Sequence, residues 1–392
     1  MSSERPEHSI LLCVTRRELK ASHKSQLEQC LRSGVDWNYL RNTAIAHGVL
    51  PLLTKHLTAG YRSIVPADVL AQFSAHALRN TREAQMLTER LLHISQVFAQ
   101  NQIVSAAFKG PILADMAYGD IGLRQCGDID LLIDNKQFTE AKSLLESHGY
   151  QMIPALTKAQ ELSHRSFHCE VEFVQDSSPI LDLHWALSPR SFVFNVTTTD
   201  VMSRLQRVRL MNTDVLTFGL EDLVIYLSMH GSKHLWWRLE WMGSLAEVIK
   251  SSSIDWSVVV DRASASNCKR ILALGLRLAE LISDGAVPDH VFDSIDSDGR
   301  MIRVAAHFYF NLFLMEPSEP ESRETSLYNL KVMDRKRDAL ASIVRALVVP
   351  TLSDWEALTL PPSLHSVYYA YRPLRLSHAY ASRFWRKLFS VT

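Results

Sequence analysis

Apolar positions in the first hundred residues recur at helical spacing. Asp36 stands where it can cap a helix that turns Leu40, Ala44 and His47 inward. A longer segment from about Ala67 sets Leu87, Leu91, Ile94 and Phe98 at i, i+4, i+7 and i+11. From Ile103 the period changes. The compact apolar run Ile103 to Phe108 predicts a strand, Lys109-Gly110 a tight turn, and Pro111 the first position of a helix running through Ala117. A second strand, Asp128 to Asp134, precedes a helix from about Phe138 to Ser147. The alternating runs His168 to Val174 and Pro179 to Ala186, joined by the polar link 175–178, predict a hairpin. After Thr217 helical spacing returns, with Leu223, Leu227, His230 and His234 on one face and further helices near Lys269 to Ser283 and Arg300 to Met315.

These elements predict an α+β protein: a helical N-terminal region (1–100), a central mixed-sheet module (101–215) and a helical C-terminal region (216–392). Only 14 Gly and 14 Pro punctuate 392 residues, in keeping with long helices. The stretch Glu316 to Thr325, with Pro317 and Pro320, reads as an internal loop. Forty-two basic residues balance 42 acidic ones, so the chain lacks the global positive field of a non-specific nucleic-acid binder. The apolar run Ile10 to Val14 is too short for a signal peptide, and no stretch of eighteen apolar residues predicts an integral membrane segment; the expectation is a cytoplasmic protein. Five scattered cysteines, never in a C-x-x-C pair, read as reduced thiols. From Ala357 onward there is no acidic residue, while Arg372, Arg375, Arg383, Arg386 and Lys387 give a basic tail suited to packing on its own domain or to peripheral contact with an anionic surface.

Candidate chemistry centres on Asp128 and Asp130. On a strand, positions i and i+2 share a face about 7 Å apart, so both carboxylates point one way while Ile129, Leu131 and Ile133 point into a core. Aspartate is a poor strand former and the two charges repel, a cost that a cation offsets. An isolated pair of this kind also occurs as a turn end beside a solvated edge residue. Here, however, Leu181-Asp182-Leu183-His184-Trp185 repeats the arrangement and brings Asp182 and His184 to one face. Three carboxylates suit oxygen-ligated Mg²⁺ or Mn²⁺ and phosphoryl-group chemistry.

Lys109-Gly110 offers backbone N–H groups, a helix N-terminus and a point charge to a triphosphate, although most such tripeptides are plain strand-to-helix turns. Arg124 is placed either to clamp a phosphate or to pair with one of the aspartates. His184 is a supporting candidate, as base or as partner to Asp182. His230 and His234 have the spacing of an H-E-x-x-H zinc pair, but Gly231 stands where the Glu would be. They read as core residues or as lining of an acceptor pocket together with Lys233. Trp236, Trp237 and Trp241 are read first as helix packing and second as a stacking surface.

The ordered set Phe108-Lys109-Gly110, Tyr118-Gly119-Asp120, Arg124-x-x-Gly127-Asp128-Ile129-Asp130-Leu131-Leu132-Ile133, Asp182-Leu183-His184-Trp185 and His230-Gly231-x-x-His234 resembles the uncharacterised bacterial nucleotidyltransferases of the DNA polymerase β-like superfamily, over about Trp37 to Pro373. The resemblance implies a polymerase β-like mixed-sheet core, with Asp128, Asp130 and Asp182 as ligands of two Mg²⁺ ions and Lys109-Gly110 as the phosphate turn. The implied reaction moves a nucleoside monophosphate from an NTP, ATP first, to a hydroxyl or phosphate acceptor and releases pyrophosphate. The acceptor is left open among small molecule, glycan precursor, peptide, protein and RNA. Two other readings stand beside it: a D-x-D sugar-nucleotide glycosyltransferase, disfavoured by the hundred helical residues ahead of the first strand, and an inactive nucleotide-binding or interaction protein such as a toxin-antitoxin partner.

Overall fold

The computed structural model describes residues 5–176, 178–283, 285–313 and 328–389. Four helices, Pro6–Val14, Ala21–Arg32, Trp37–Ala46 and Leu50–Gly60, lead into the 34-residue helix Ala67–Gln100. Asp36 caps the third of these by accepting from the Tyr39 N–H at 3.0 Å, and Leu40, Ala44 and His47 are buried beneath it. The sequence-predicted loop Glu316 to Thr325 lies outside the described residues.

Five strands form one sheet: β1 (Ser105–Ala107), β2 (Asp128–Ile133), β3 (Gln151–Ile153), β4 (Glu170–Val174) and β5 (Ile180–His184), in the order β1-β2-β5-β4-β3. The pairing of β2 with β5 is parallel and the other three are antiparallel. The predicted β4–β5 hairpin is present. The Ile103 to Phe108 run is shorter as a strand than expected, since only Ser105, Ala106 and Ala107 pair with β2. Three strands lie beyond those expected: β3 at the sheet edge, and β6 (Gln206–Leu210) and β7 (Thr213–Thr217), which make a separate hairpin.

The sheet has two unlike faces, as the period-two alternation requires. Ile129, Leu131 and Ile133 of β2, Leu181 and Leu183 of β5, and Val171 and Phe173 of β4 share a core with Leu87, Leu91, Ile94 and Phe98 of the long helix and with Phe138, Ala141 and Leu145 of the helix Phe138–Ser147. Truncating one of these leucines to Ala costs about 2–5 kcal/mol. The opposite face carries Asp128, Asp130, Asp182, His184, Glu170 and Glu172. The helix Leu220–Lys233 reaches it through Tyr226, edge-on to Phe108, which is itself edge-on to His184, and the helix Leu239–Ser251 follows.

Those two helices, with Lys269–Ile282, belong to a second core that also takes in Leu40, Leu50, Leu53 and Leu57. The N-terminal helices and the C-terminal region are therefore joined through shared apolar packing. The helix Lys336–Val348 and the short helix Leu352–Ala357 precede the final helix, Tyr368–Phe389. Buried Asp354 receives Arg372 at 2.7 Å and Arg375 at 2.6 Å. These two basic residues of the tail are thus engaged within the protein, which removes them from the expected anionic contact surface. The side chains of Arg383, Arg386 and Lys387 lie outside the described residues. Among the described residues no helix is long and apolar enough to cross a membrane.

Candidate active site

The parallel register sets Asp130 opposite Asp182 and Leu132 opposite His184, while β4 places Glu172 opposite Asp182 and Glu170 opposite His184. Five charged or titratable side chains from three strands, Asp130, Asp182, His184, Glu170 and Glu172, thus meet on one face. Asp130, Asp182 and His184 offer ligand atoms that all lie within 4.8 Å of one another. Asp128, two residues earlier on β2, is outside that tight group. It is near enough for its charge to act on Asp182 and for the Asp130 charge to act on it.

Asp130 is almost fully buried and holds two cations: Lys109 Nζ lies 2.5 Å and His184 Nε2 2.9 Å from its Oδ1. Burial works against the carboxylate charge, but Lys109 and His184 outweigh it and hold the carboxyl at about 2. His184 Nδ1 reaches Glu170 Oε2 at 2.9 Å. Although burial disfavours the imidazolium, Glu170 and Asp130 on its two sides raise its pKa well above the ordinary histidine value. With both ring nitrogens occupied, His184 acts here as a bridge between carboxylates and not as a free base. Glu170 was not singled out in the sequence. The alternation Glu170-Val171-Glu172-Phe173 marks its face, but only the hairpin register shows its partner.

Asp182 differs from its neighbour. Its Oδ1 is buried without a hydrogen-bond partner, and burial together with the nearby Asp130 charge raises its carboxyl to about 7. Asp128 is raised too, by burial and by Asp130. A buried carboxylate oxygen left without a donor, beside two further aspartates, is a place where a hard divalent cation fits, because oxygen donors select Mg²⁺ or Mn²⁺.

Lys109 ends the β1 segment and precedes the helix Gly110–Tyr118. Gly110 takes φ +59°, and an added Cβ would stand 3.4 Å from the Asp128 carbonyl oxygen. The turn needs glycine for its left-handed backbone, while a Cβ there would only touch β2. The Lys109 side chain, expected to be directed at a phosphate, is instead drawn back onto Asp130. Phe108 fixes the turn from below, stacked on Phe218 at 4.8 Å and edge-on to His184 and Tyr226, each at 5.0 Å.

Arg124 does not form the expected ion pair with an aspartate of the site. Its Nη2 pairs at 2.5 Å with Glu240 Oε1 on the helix Leu239–Ser251, and both side chains are buried. No aspartate of the site is its partner. His230 and His234 stand 4.8 Å apart, with Trp241 at 5.4 and 5.3 Å from them. Burial, then the charge of Lys109 for His230 and of Lys233 for His234, keeps both rings neutral, His234 at about 3. Trp236 is a packing residue: an added Cβ on Gly231 would meet its ring at 2.5 Å.

The family described as "Uncharacterised nucleotidyltransferase" matches residues 33–284. The chain belongs to this family, and its general activity is nucleotidyl transfer, with a nucleotide as substrate. Among solved structures, the chain is similar to the antibiotic-resistance factor ANT(2'')-Ia, at 14% identity over 49% of this chain and 96% of that one, with a TM-score of 0.34. Curated proteins give no match.

Proposed function

We propose that the module around residues 101–215 transfers a nucleoside monophosphate from a nucleoside triphosphate, ATP first, to a hydroxyl or phosphate acceptor, with release of pyrophosphate. The observation that carries this reading is the pairing of Asp130 with Asp182 across parallel strands, with one Asp182 oxygen buried and unsatisfied.

Asp128, Asp130 and Asp182 would hold the divalent cations. When bound, such ions offset charge on the triphosphate and lower the pKa of an attacking hydroxyl. The chain's own residues do the rest. Lys109 neutralises Asp130 before substrate arrives, and the Lys109-Gly110 turn would offer backbone N–H groups to the phosphates, with the Lys109 ammonium joining them once cations take over the charge of Asp130. The Glu170–His184 pair fixes the orientation of Asp130. Asp130 and His184 are almost fully buried, so their fixed charges act where water screens them little.

The test is incubation of the purified chain with each of four NTPs and Mg²⁺ in the presence of a cell extract, reading pyrophosphate and any nucleotide-bearing product by mass. Pyrophosphate release that requires Asp182 supports the reading. Release of a nucleoside diphosphate, as from a sugar nucleotide, or no turnover with any NTP, refutes it.

A further inference from the structure

Beside Asp182 opens a cavity of about 380 Å³, within the size range of small-molecule sites. Its wall combines β4, the helix Lys158–Phe167, the helix Leu352–Ala357 and the end of the helix Leu220–Lys233. Its polar groups are almost all acceptors.

His164 is 7% exposed, and its Nε2 lies 3.0 Å from the Glu170 carbonyl oxygen. A carbonyl only accepts, so Nε2 carries the proton and Nδ1 is a bare lone pair. Burial keeps this ring neutral, and its Nδ1 is buried without a partner. His168 stacks on it at 4.2 Å, is held to the Pro350 carbonyl, and leaves its Nε2 likewise buried and unpartnered. Glu172 and Glu356 add two carboxylates with no ion-pair partner among the described residues. The cation in the wall, Lys233, lies close enough to Glu170 for its charge to be felt there.

We infer that this cavity is the acceptor subsite of the proposed transferase and that it takes a small hydroxylated amine in its ammonium form. Bare imidazole nitrogens and unpaired carboxylates call for hydrogen-bond donors and positive charge. A phosphate-bearing acceptor or RNA would bring acceptors and negative charge to the same wall, and a folded protein would not enter it. The ammonium sits toward Glu172 and Glu356, a donor group satisfies His164 Nδ1, and the reacting hydroxyl lies at the Asp182 end. The inference rests on the transferase reading for the meaning of the site, whereas its test reads binding alone.

A library of small hydroxylated amines, each matched with its N-acetyl form and with a phosphate ester of similar size, is screened by ligand-observed NMR against the full chain without nucleotide. Glu172→Gln/Glu356→Gln and His164→Leu proteins are run in parallel, with circular dichroism as the check on folding. The expected result is amine hits that exceed their N-acetyl partners and weaken at least 10-fold in the folded double variant. No amine hits, equal binding of N-acetyl forms, preference for phosphate esters, or unaltered binding in the folded double variant would overturn it. Loss of turnover with amine binding intact would instead count against the transferase reading.

Discussion

Asp130 and Asp182 face each other across the parallel β2–β5 pair, yet they live in opposite electrostatic states. One is held ionised between Lys109 and His184; the other is buried with an unpartnered oxygen. The difference decides which substitution tests the site cleanly. Asp130→Asn would leave two buried cations short of a counter-charge, so lost activity and lost stability would arrive together.

Asp182→Asn removes a charge that burial and Asp130 disfavour and that His184 offsets only in part. We expect turnover to fall by more than the roughly 10–100-fold that losing a group behind a metal ligand costs. The melting temperature at pH 8 in metal-free buffer should hold or rise, since the amide lifts the repulsion from Asp130. Calorimetric melting and a pyrophosphate assay on the same preparation check both halves, and a melting point that drops with activity intact would sink the assignment.

Lys109→Met keeps the aliphatic stem and deletes the ammonium that sits on Asp130. Because His184 remains as a partner, the stability loss should be about 1–3 kcal/mol, below the roughly 3–5 kcal/mol for removing a sole buried partner. Nucleotide affinity should fall as well, as the turn loses its point charge. Urea unfolding and nucleotide titration measure the two effects. Unchanged nucleotide affinity would confine Lys109 to a structural role.

Arg124 and Glu240 form a buried pair between the lead-in to β2 and the Leu239–Ser251 helix. Glu240→Gln should destabilise by about 3–5 kcal/mol and Arg124→Met by less, since Arg238 stays 3.8 Å from Glu240, whereas the double change should recover much of the loss. A double-mutant cycle by urea unfolding reads the coupling. Additive losses would show that the two residues act independently.

Local signals were legible where chemistry and packing share a period of two. Asp128 and Asp130 alternate with Ile129 and Leu131, and Asp182 and His184 with Leu181 and Leu183, so the shared face and the β4–β5 hairpin could be read directly. The parallel β2–β5 pairing could not, because it joins segments about fifty residues apart and depends on how intervening elements pack. The same is true of Arg124, whose partner Glu240 lies on a distant helix, and of Lys109, whose reach toward Asp130 is a side-chain choice that spacing does not encode. The β6–β7 hairpin escaped notice for a different reason. Its two-residue turn, Met211-Asn212, places Met211 at φ +53° without the glycine that usually announces such a turn.

His47 gives a pH dependence independent of the active site. Its Nδ1 accepts from the Leu239 N–H at 3.4 Å, and burial, then the charge of Arg238, lowers its pKa to about 4. The unfolded chain, with an ordinary histidine near 6.5, therefore takes up a proton first as pH falls. The native state keeps its full stability above the unfolded value and loses it progressively between about pH 6.5 and 4. His47→Gln retains an acceptor for Leu239 and cannot titrate, so its stability should be flatter over that window, by up to about 1.4 kcal/mol per pH unit where only the unfolded histidine is protonated. Urea midpoints of the two proteins at a series of pH values across the window test this. Parallel curves would show that His47 does not carry the dependence, and a His47→Gln protein that loses more stability on acidification than the parent would reverse its sign.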